Sequence, residues 1–174
     1  FFAILYLMEK TLAVLNNLKK NGLITEYAIG GGMGAVFYIE PFLTYDLDIF
    51  VILKDEAALD PLSKIYENLK KSGYKPKDEQ VIIEGVPVQF LPAWNGLLKE
   101  AVQEARAIEY QGVATRVMTV EHLLAIMLAT GRAKDRERFF KVLAEAELDR
   151  KKLERIVERH GLQEKFASWE KSRC

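Results

Sequence analysis

The sequence has little of what disulfide and thiolate metal sites require. Its 174 residues include one cysteine, Cys174, and two histidines. One thiol cannot form a disulfide framework or a cysteine metal site. Proteins without disulfides are typical of reducing compartments, so the expected location is the cytoplasm.

The chain also lacks an excess of charge of either sign. Acidic and basic residues number 25 each, and the formal net charge is zero. Domains that bind nucleic acids usually carry a clear basic excess, so the composition does not favour that class. Apolar residues make up 49% of the chain. That is enough to bury the core of one domain with a helical extension.

No long hydrophobic run is present. Residues 1–8 are apolar, but a membrane-spanning helix needs about 20 such residues. A signal peptide would have a basic segment before this run and a small-residue cleavage site after it, and we find neither. We therefore expect no membrane partner. Residues 1–7 have the character of a tag or an N-terminal extension before Met8, and their apolar surface suggests self-association.

The order of predicted elements indicates an α/β protein. Helix, strand, helix, strand and helix are followed by two or three strands and then by helices only. Asp60 and Pro61 predict the N-cap and first position of one helix. Two apolar runs on either side of Glu84-Gly85-Val86-Pro87 predict a hairpin. We expect an α/β core over residues 1–118 and a helical subdomain over residues 119–174 that packs on it.

Two carboxylates begin the strand predicted for residues 47–53. Asp46 and Asp48 are two residues apart, so their side chains lie on the same face of an extended chain. Carboxylates this close repel each other unless a cation lies between them. Paired aspartate oxygens are ligands that Mg²⁺ prefers, usually together with substrate phosphates. Alone, such a pair is more often a solvated turn.

Three consecutive glycines lie upstream of these carboxylates. Gly30, Gly31 and Gly32 follow a short predicted strand and precede a short predicted helix that Pro41 ends. Backbone without side chains allows phosphate oxygens to approach closely. A phosphate-binding segment facing an acidic metal site suits phosphoryl or nucleotidyl transfer.

These motifs resemble the nucleotidyltransferase superfamily of polymerase-β-like fold. The likeness is to its small prokaryotic branch, which includes minimal nucleotidyltransferases and toxins of abortive-infection systems. Gly31-Gly32 and the Thr44-x-Asp46-x-Asp48 segment match its signature. Residues 131–136 resemble its A-G-R-x-K-D-R stretch, and residues 83–88 resemble its paired strands. The likeness covers residues 27–140.

The resemblance implies a mixed twisted sheet of four or five strands with a C-terminal helical bundle. It implies transfer of a nucleoside monophosphate from a nucleoside triphosphate to a protein, an RNA end or a small molecule such as an aminoglycoside. It implies that Asp46 and Asp48 hold Mg²⁺ or Mn²⁺ and act in catalysis. The residues that it implies for phosphate binding are Gly30, Gly31, Gly32, Thr44, Arg132 and Lys134.

The sequence departs from the family pattern at two positions. The third carboxylate of the family corresponds to Gln89, whose amide oxygen is a neutral ligand and a poor base. Glu84 is expected in the hairpin turn and does not simply replace it. Met127 lies near a position where relatives carry lysine. The alternative function is therefore a degenerate, nucleotide-binding member that acts as a regulatory subunit or in a toxin–antitoxin pair.

Several other residues have two readings. Arg136 is expected to face the cleft together with Arg132 or to be a solvated helix residue. His122 and His160 are expected on helix surfaces or at caps. Packing is the expected role of Trp94 and Trp169. It is also the expected role of Tyr38, Phe42 and Tyr45, for which stacking on a base is the alternative.

Overall fold

A computed structural model describes residues 2–54 and 60–172, with side chains from residue 7 onward. The helices are α1 (Phe2–Lys20), α2 (Gly31–Val36), α3 (Ser63–Lys71), α4 (Gly96–Gln103), α5 (Val120–Thr130), α6 (Ala133–Glu145), α7 (Arg150–Arg159) and α8 (Gln163–Lys171). The strands are β1 (Glu26–Ile29), β2 (Leu47–Ile52), β3 (Pro76–Lys77), β4 (Gln80–Ile83), β5 (Val86–Pro92), β6 (Arg106–Tyr110) and β7 (Val113–Val117).

The strands form one mixed sheet in the order β3-β4-β5-β2-β1-β7-β6. β2 lies at its centre, antiparallel to β1 and parallel to β5. The α/β class is confirmed, but the sheet has seven strands instead of the four or five expected. The two-residue strand β3 is too short to be recognised in the sequence, and the β6–β7 hairpin joins the same sheet through β7 and β1.

The alternation of β2 separates the two faces of the sheet. Leu47, Ile49 and Val51 are fully buried in a cluster with side chains of α1 and α3. Phe50 packs in a different cluster with side chains of α4 and α5. Since residues two apart share a face, Asp46 and Asp48 lie on the same side as Phe50. The continuous apolar character of this strand is thus explained by burial on both faces.

The C-terminal helices build a core of their own around Phe139. Its ring meets those of Phe166 and Trp169 edge-on, at centroid distances of 6.2 and 5.1 Å. The predicted packing role of Trp169 is confirmed, since the residue is only 7% exposed. In the described part of the chain, every helix is too short or too polar to cross a membrane.

Two predicted helix starts differ from the structure. The helix after the glycines begins at Gly31, so it includes part of the cluster. α3 begins at Ser63 and not at Asp60. The backbone carbonyl of Asp60 accepts hydrogen bonds from the Ser63 amide and hydroxyl, which forms a turn before the helix. The prediction that Asp60 is the N-cap is therefore wrong.

The predicted hairpin is present. Glu84 and Gly85 connect β4 to β5 with φ angles of 51° and 85°. Two successive positive φ values fit the tightest type of hairpin turn, whose twist matches that of the strands. The register that follows from this turn places Gln80 and Gln89 at the same level of the β4–β5 pair.

Candidate active site

Asp46 and Asp48 form the acidic centre of a cleft between the sheet and the C-terminal helices. Burial raises the pKa of Asp48 to about 6, and the charge of Asp46 adds to this effect. The positive charges of Arg138 and, to a lesser extent, of Lys134 and Arg132 lower this pKa without cancelling the shift. The site therefore holds negative charge that its own cations do not fully neutralise.

Gly31 is fitted closely against this carboxylate. Its φ is +56°, and a Cβ atom at this position would lie 1.8 Å from Oδ2 of Asp48. The backbone amide of Gly30 donates to the carbonyl of Asp48 at 3.0 Å, which fixes the glycine segment on β2. Only glycine at position 31 leaves room for the Asp48 carboxylate where it is.

Gly32 lies between the predicted residue Thr44 and Arg138, which was not predicted. A Cβ at this position would lie 2.9 Å from Oγ1 of Thr44 and 3.4 Å from Nη1 of Arg138. Thr44 is 2% exposed, so its hydroxyl lies beneath the glycine segment and not in the open cleft. The glycines therefore place bare backbone between the acidic pair and Arg138.

Gln89 occupies the position beside Asp48. The two residues are register partners in the parallel pair of β2 and β5. Nε2 of Gln89 donates to Oε2 of Glu79 at 3.2 Å, and Nε2 of Gln80 donates to Oδ2 of Asp46 at 3.1 Å. The β3–β4 turn thus reaches the acidic centre through two amide side chains.

Glu79, and not Glu84, is the carboxylate that Gln89 contacts. Glu84 lies at the far end of the hairpin, where its Oε1 accepts from the Tyr74 hydroxyl at 2.6 Å. Glu79 is not predicted from the sequence, because the strand before it has only two residues. The sequence signal for this turn is the pair of turn-forming residues at 78–79, and Asp78 has a φ of 55°.

Three basic side chains line the cleft: Arg132, Lys134 and Arg138. Arg132 donates through Nε and Nη2 to both carboxylate oxygens of Asp135, at 2.7 and 3.3 Å. The guanidinium of Arg138 lies 5.3 Å from the centre of the Phe42 ring. Arg138 was not among the residues assigned to phosphate binding in the sequence.

Arg136 does not line the cleft. Its guanidinium lies 5.9 Å from the Trp169 ring centre and donates to the Ser172 hydroxyl. The expectation that it faces the cleft is wrong, because the helical turn directs it to α8. Arg138, two residues further along α6, points to Gly32 instead.

The cleft has a volume of about 650 Å³, and much of its wall is apolar. Trp94 lines it and is 77% exposed, so the predicted packing role of this side chain is wrong. It follows the last residues of β5 and precedes Asn95, whose Oδ1 caps α4 by accepting from the Leu98 amide at 2.9 Å. Met127 lies in the same wall, where a lysine was expected.

The three aromatic residues with alternative readings have different roles. Tyr38 is a packing residue, and its hydroxyl donates to the carbonyl of Met118 at 2.9 Å. Phe42 supports Arg138. Tyr45 lines the cleft and is 71% exposed, which leaves its ring free to contact a ligand.

A second polar cluster lies outside this cleft. Glu100 accepts from His160 at 2.9 Å and from Arg159 at 2.6 Å, and it lies 3.3 Å from Nε2 of His122. Burial alone would raise the pKa of Glu100, but these three hydrogen bonds hold it below its usual value. Glu104 is close enough for Glu100, Glu104 and His122 to hold a metal ion together.

His122 is fully buried and is not a surface residue as predicted. Burial lowers its pKa, so the ring is neutral at pH 7. A carboxylate only accepts hydrogen bonds, so Nε2–H of His122 donates to Glu100 while Nδ1 accepts from the Thr119 hydroxyl at 2.9 Å. These hydrogen bonds satisfy the side chains of Thr119, His122 and Glu100 without a metal.

The donors at the acidic centre fit a hard divalent cation. They are carboxylate oxygens of Asp46 and Asp48, with the amide oxygen of Gln89 beside them, since the Gln89 nitrogen is already engaged with Glu79. Oxygen ligands of this kind suit Mg²⁺. The pKa of Asp48 is raised mainly by burial, and the nearby carboxylate of Asp46 adds to the shift, so a bound cation would relieve an unfavourable charge here.

The overall fold is that of nucleotidyltransferase-like proteins. A nucleotidyltransferase-like protein from Paracoccidioides brasiliensis is 14% identical, with a TM-score of 0.55 over 79% of this chain and 76% of its own. The antibiotic-resistance factor ANT(2″)-Ia, solved with adenylyl-2″-tobramycin, is 18% identical, with a TM-score of 0.53 over 94% of this chain and 99% of its own.

A solution structure of ANT(2″)-Ia gives the same result, with 18% identity and a TM-score of 0.52 over 99% of this chain and 97% of its own. At these identities the likeness concerns the fold. Neither a family model nor a curated protein sequence matches the chain.

Proposed function

We propose that this protein is a Mg²⁺-dependent nucleotidyltransferase that moves a nucleoside monophosphate from a nucleoside triphosphate to a hydroxyl acceptor. The observation that carries the proposal is the contact between Gly31 and Asp48. A glycine with positive φ and no room for a side chain places bare backbone directly against an aspartate whose pKa is raised by burial and, in addition, by the charge of Asp46. The likeness of the fold to ANT(2″)-Ia supports the same chemistry.

Asp46 and Asp48 would hold the metal, with Gln89 as a neutral oxygen ligand beside them. A bound Mg²⁺ neutralises phosphate charge and polarises the phosphorus–oxygen bonds. Gly31 lines the cleft and would present bare backbone to the triphosphate, with Gly32 buried against Thr44 beneath it. Arg138 and Lys134 supply positive charge, and Arg132 is held in place by Asp135.

Transfer requires a new bond between the acceptor oxygen and the α-phosphorus. The bond from this phosphorus to the bridging oxygen of pyrophosphate breaks, and the acceptor hydroxyl loses its proton. Gln89 is not a base, so a carboxylate must take this proton. We assign this role to Glu79. Its carboxylate lies at the edge of the acidic centre, where Oε2 accepts from Nε2 of Gln89 at 3.2 Å.

A second function is favoured by Gln89 itself. With no carboxylate at this position, the protein would bind nucleotide without transferring it and would act as a regulatory or toxin–antitoxin component. Glu79 distinguishes the two functions. If Glu79 is the base, Glu79→Gln abolishes transfer while the affinity for the nucleotide stays the same.

Calorimetry of the purified protein with each nucleoside triphosphate, with and without Mg²⁺, tests the binding step. Metal-dependent binding that disappears in Asp46→Asn and Asp48→Asn is expected. Labelled nucleotide incorporated into a cell extract then tests the transfer step. Binding without incorporation would leave only the second function, and no binding under any condition would reject both.

A further inference from the structure

The cleft continues past the acidic centre into a region without charge. Phe50 and Leu91 are register partners, each two residues further along its strand than Asp48 and Gln89. At about 3.3 Å per residue, this places them roughly 6–7 Å further along the strands. The side chains that carry the wall onward are Leu98 of α4, Ile126 and Met127 of α5, and Trp94. We name these six residues the apolar lobe.

Two of the polar groups near the apolar lobe already have partners. Oδ1 of Asn95 accepts from the Leu98 amide, and the Thr130 hydroxyl donates to the carbonyl of Ile126 at 2.8 Å. Trp94 presents a ring that is 77% exposed, beside half-buried Leu91, Leu98 and Ile126. Water makes few hydrogen bonds with such a wall, and an apolar ligand that covers it is stabilised because apolar surface is removed from water.

The charges of the cleft do not suit a ligand with ammonium groups. Among the described residues that line it, the carboxylates are Asp46, Asp48 and Asp135. The first two are the metal pair of the proposed function, and Asp135 is bound by Arg132 through both oxygens. Glu79 at the rim contacts the neutral amide of Gln89, and as the base of the proposed function it must stay free to take the acceptor proton. An acceptor with several positive charges would therefore meet Arg138 and Lys134 without a free partner of opposite sign.

We infer that the acceptor is a hydroxyl compound with an apolar or aromatic body and no ammonium groups, and that this body occupies the apolar lobe. The inference rests on the proposed function, since it places the acceptor on the Gln89 side of the metal pair. It sets this protein apart from ANT(2″)-Ia, whose structure holds adenylyl-2″-tobramycin, the product of a polycationic acceptor.

The test uses the whole chain with Mg²⁺ and α,β-methylene ATP, whose carbon bridge prevents pyrophosphate release. To this complex one adds either 2-(2-naphthyl)ethanol, a neutral alcohol with an aromatic body, or tobramycin. Calorimetry is expected to show binding of the naphthyl alcohol and none of tobramycin. Labelled ATP is then expected to yield an adenylylated naphthyl alcohol.

Two variants connect the result to the apolar lobe. Trp94→Ala removes an exposed ring, so it leaves the fold intact and is expected to weaken binding of the naphthyl alcohol roughly tenfold, without a change in nucleotide affinity. Leu43→Ala is the matched control, since Leu43 is 57% exposed and lies outside the cleft lining. It is expected to leave both affinities unchanged.

Three outcomes would overturn the inference. Tobramycin binding to the nucleotide complex in place of the naphthyl alcohol would reject the class of acceptor. Displacement of the naphthyl alcohol by the nucleotide would show that the lobe takes the nucleobase. In both cases the nucleotide still binds, so the proposed function survives. If the nucleotide itself fails to bind with Mg²⁺, the proposed function fails and the inference falls with it.

Discussion

Asp48→Asn is expected to make the metal-free protein more stable. The pKa of Asp48 is raised from 3.8 to about 6, so the folded state holds this proton more tightly than the unfolded chain does. Raising the pH through this range ionises the carboxyl in an unfavourable place, and stability is lost. Below the lower value the carboxyl is protonated in both states, and the effect disappears.

The magnitude follows from the difference between the two pKa values. At 1.36 kcal/mol per pH unit, a difference of about two pH units corresponds to about 3 kcal/mol. This is an upper bound because the side chain is not fully buried. In EDTA at about pH 8, Asp48→Asn is therefore expected to raise the free energy of unfolding by up to about 3 kcal/mol, and at about pH 3, below both pKa values, by almost nothing.

Urea unfolding of both proteins across this range measures the difference. Other groups titrate in the same range, but they titrate in both proteins and largely cancel. Asp46→Asn is the matched control, with the same chemical change two residues away. Asp46→Asn removes only the smaller cause of the Asp48 shift and keeps an oxygen to accept from Gln80, so a smaller gain is expected.

Adding Mg²⁺ should reverse the order of stability. An ion that binds only the folded wild type stabilises it by mass action, while the variant has lost a ligand. A difference between the two proteins that does not depend on pH would refute this account of Asp48. So would a variant that is less stable than the wild type in EDTA at about pH 8.

Three further substitutions test the remaining parts of the site. Gly31→Ala should abolish Mg²⁺-dependent nucleotide binding, whereas Gly73→Ala, which also has positive φ but open space around it, should cost only about 1–2 kcal/mol of stability; equal loss of binding in both would contradict the contact with Asp48. Gln89→Asp should tighten Mg²⁺ binding in calorimetry, and unchanged affinity would show that position 89 does not face the metal. Arg138→Ala should weaken triphosphate binding roughly tenfold, since a hydrogen bond to a charged group contributes about 1.5–3 kcal/mol, and Arg136→Ala should not change it; the reverse pattern would overturn the assignment of the phosphate-binding arginine.

The parts of the site that the sequence predicts are those set by local geometry. Asp46 and Asp48 share a face because any extended chain alternates. The hairpin turn at Glu84 and Gly85 likewise fixes the register of β4 with β5. The position of Gln89 beside Asp48 is different, since it joins distant segments and is predicted by the family resemblance.

The parts that the sequence does not predict depend on contacts between distant segments. Glu79 reaches the site from a turn whose first strand has two residues. Trp94 is exposed although its type favours burial, because the chain must leave β5 and begin α4 at Asn95. His122 and His160 share one carboxylate because α5 and α7 both pack near α4.

That shared carboxylate has a consequence for the cleft. Glu100 belongs to α4, whose other face carries Leu98, and it holds His122 of α5 together with Arg159 and His160 at the end of α7. The two helices that wall the apolar lobe are thus joined from behind by one side chain outside the lining of the cleft. Glu100 therefore helps to set the spacing between these helices, and with it the size of molecule that the lobe admits, although it is not a residue of the cleft.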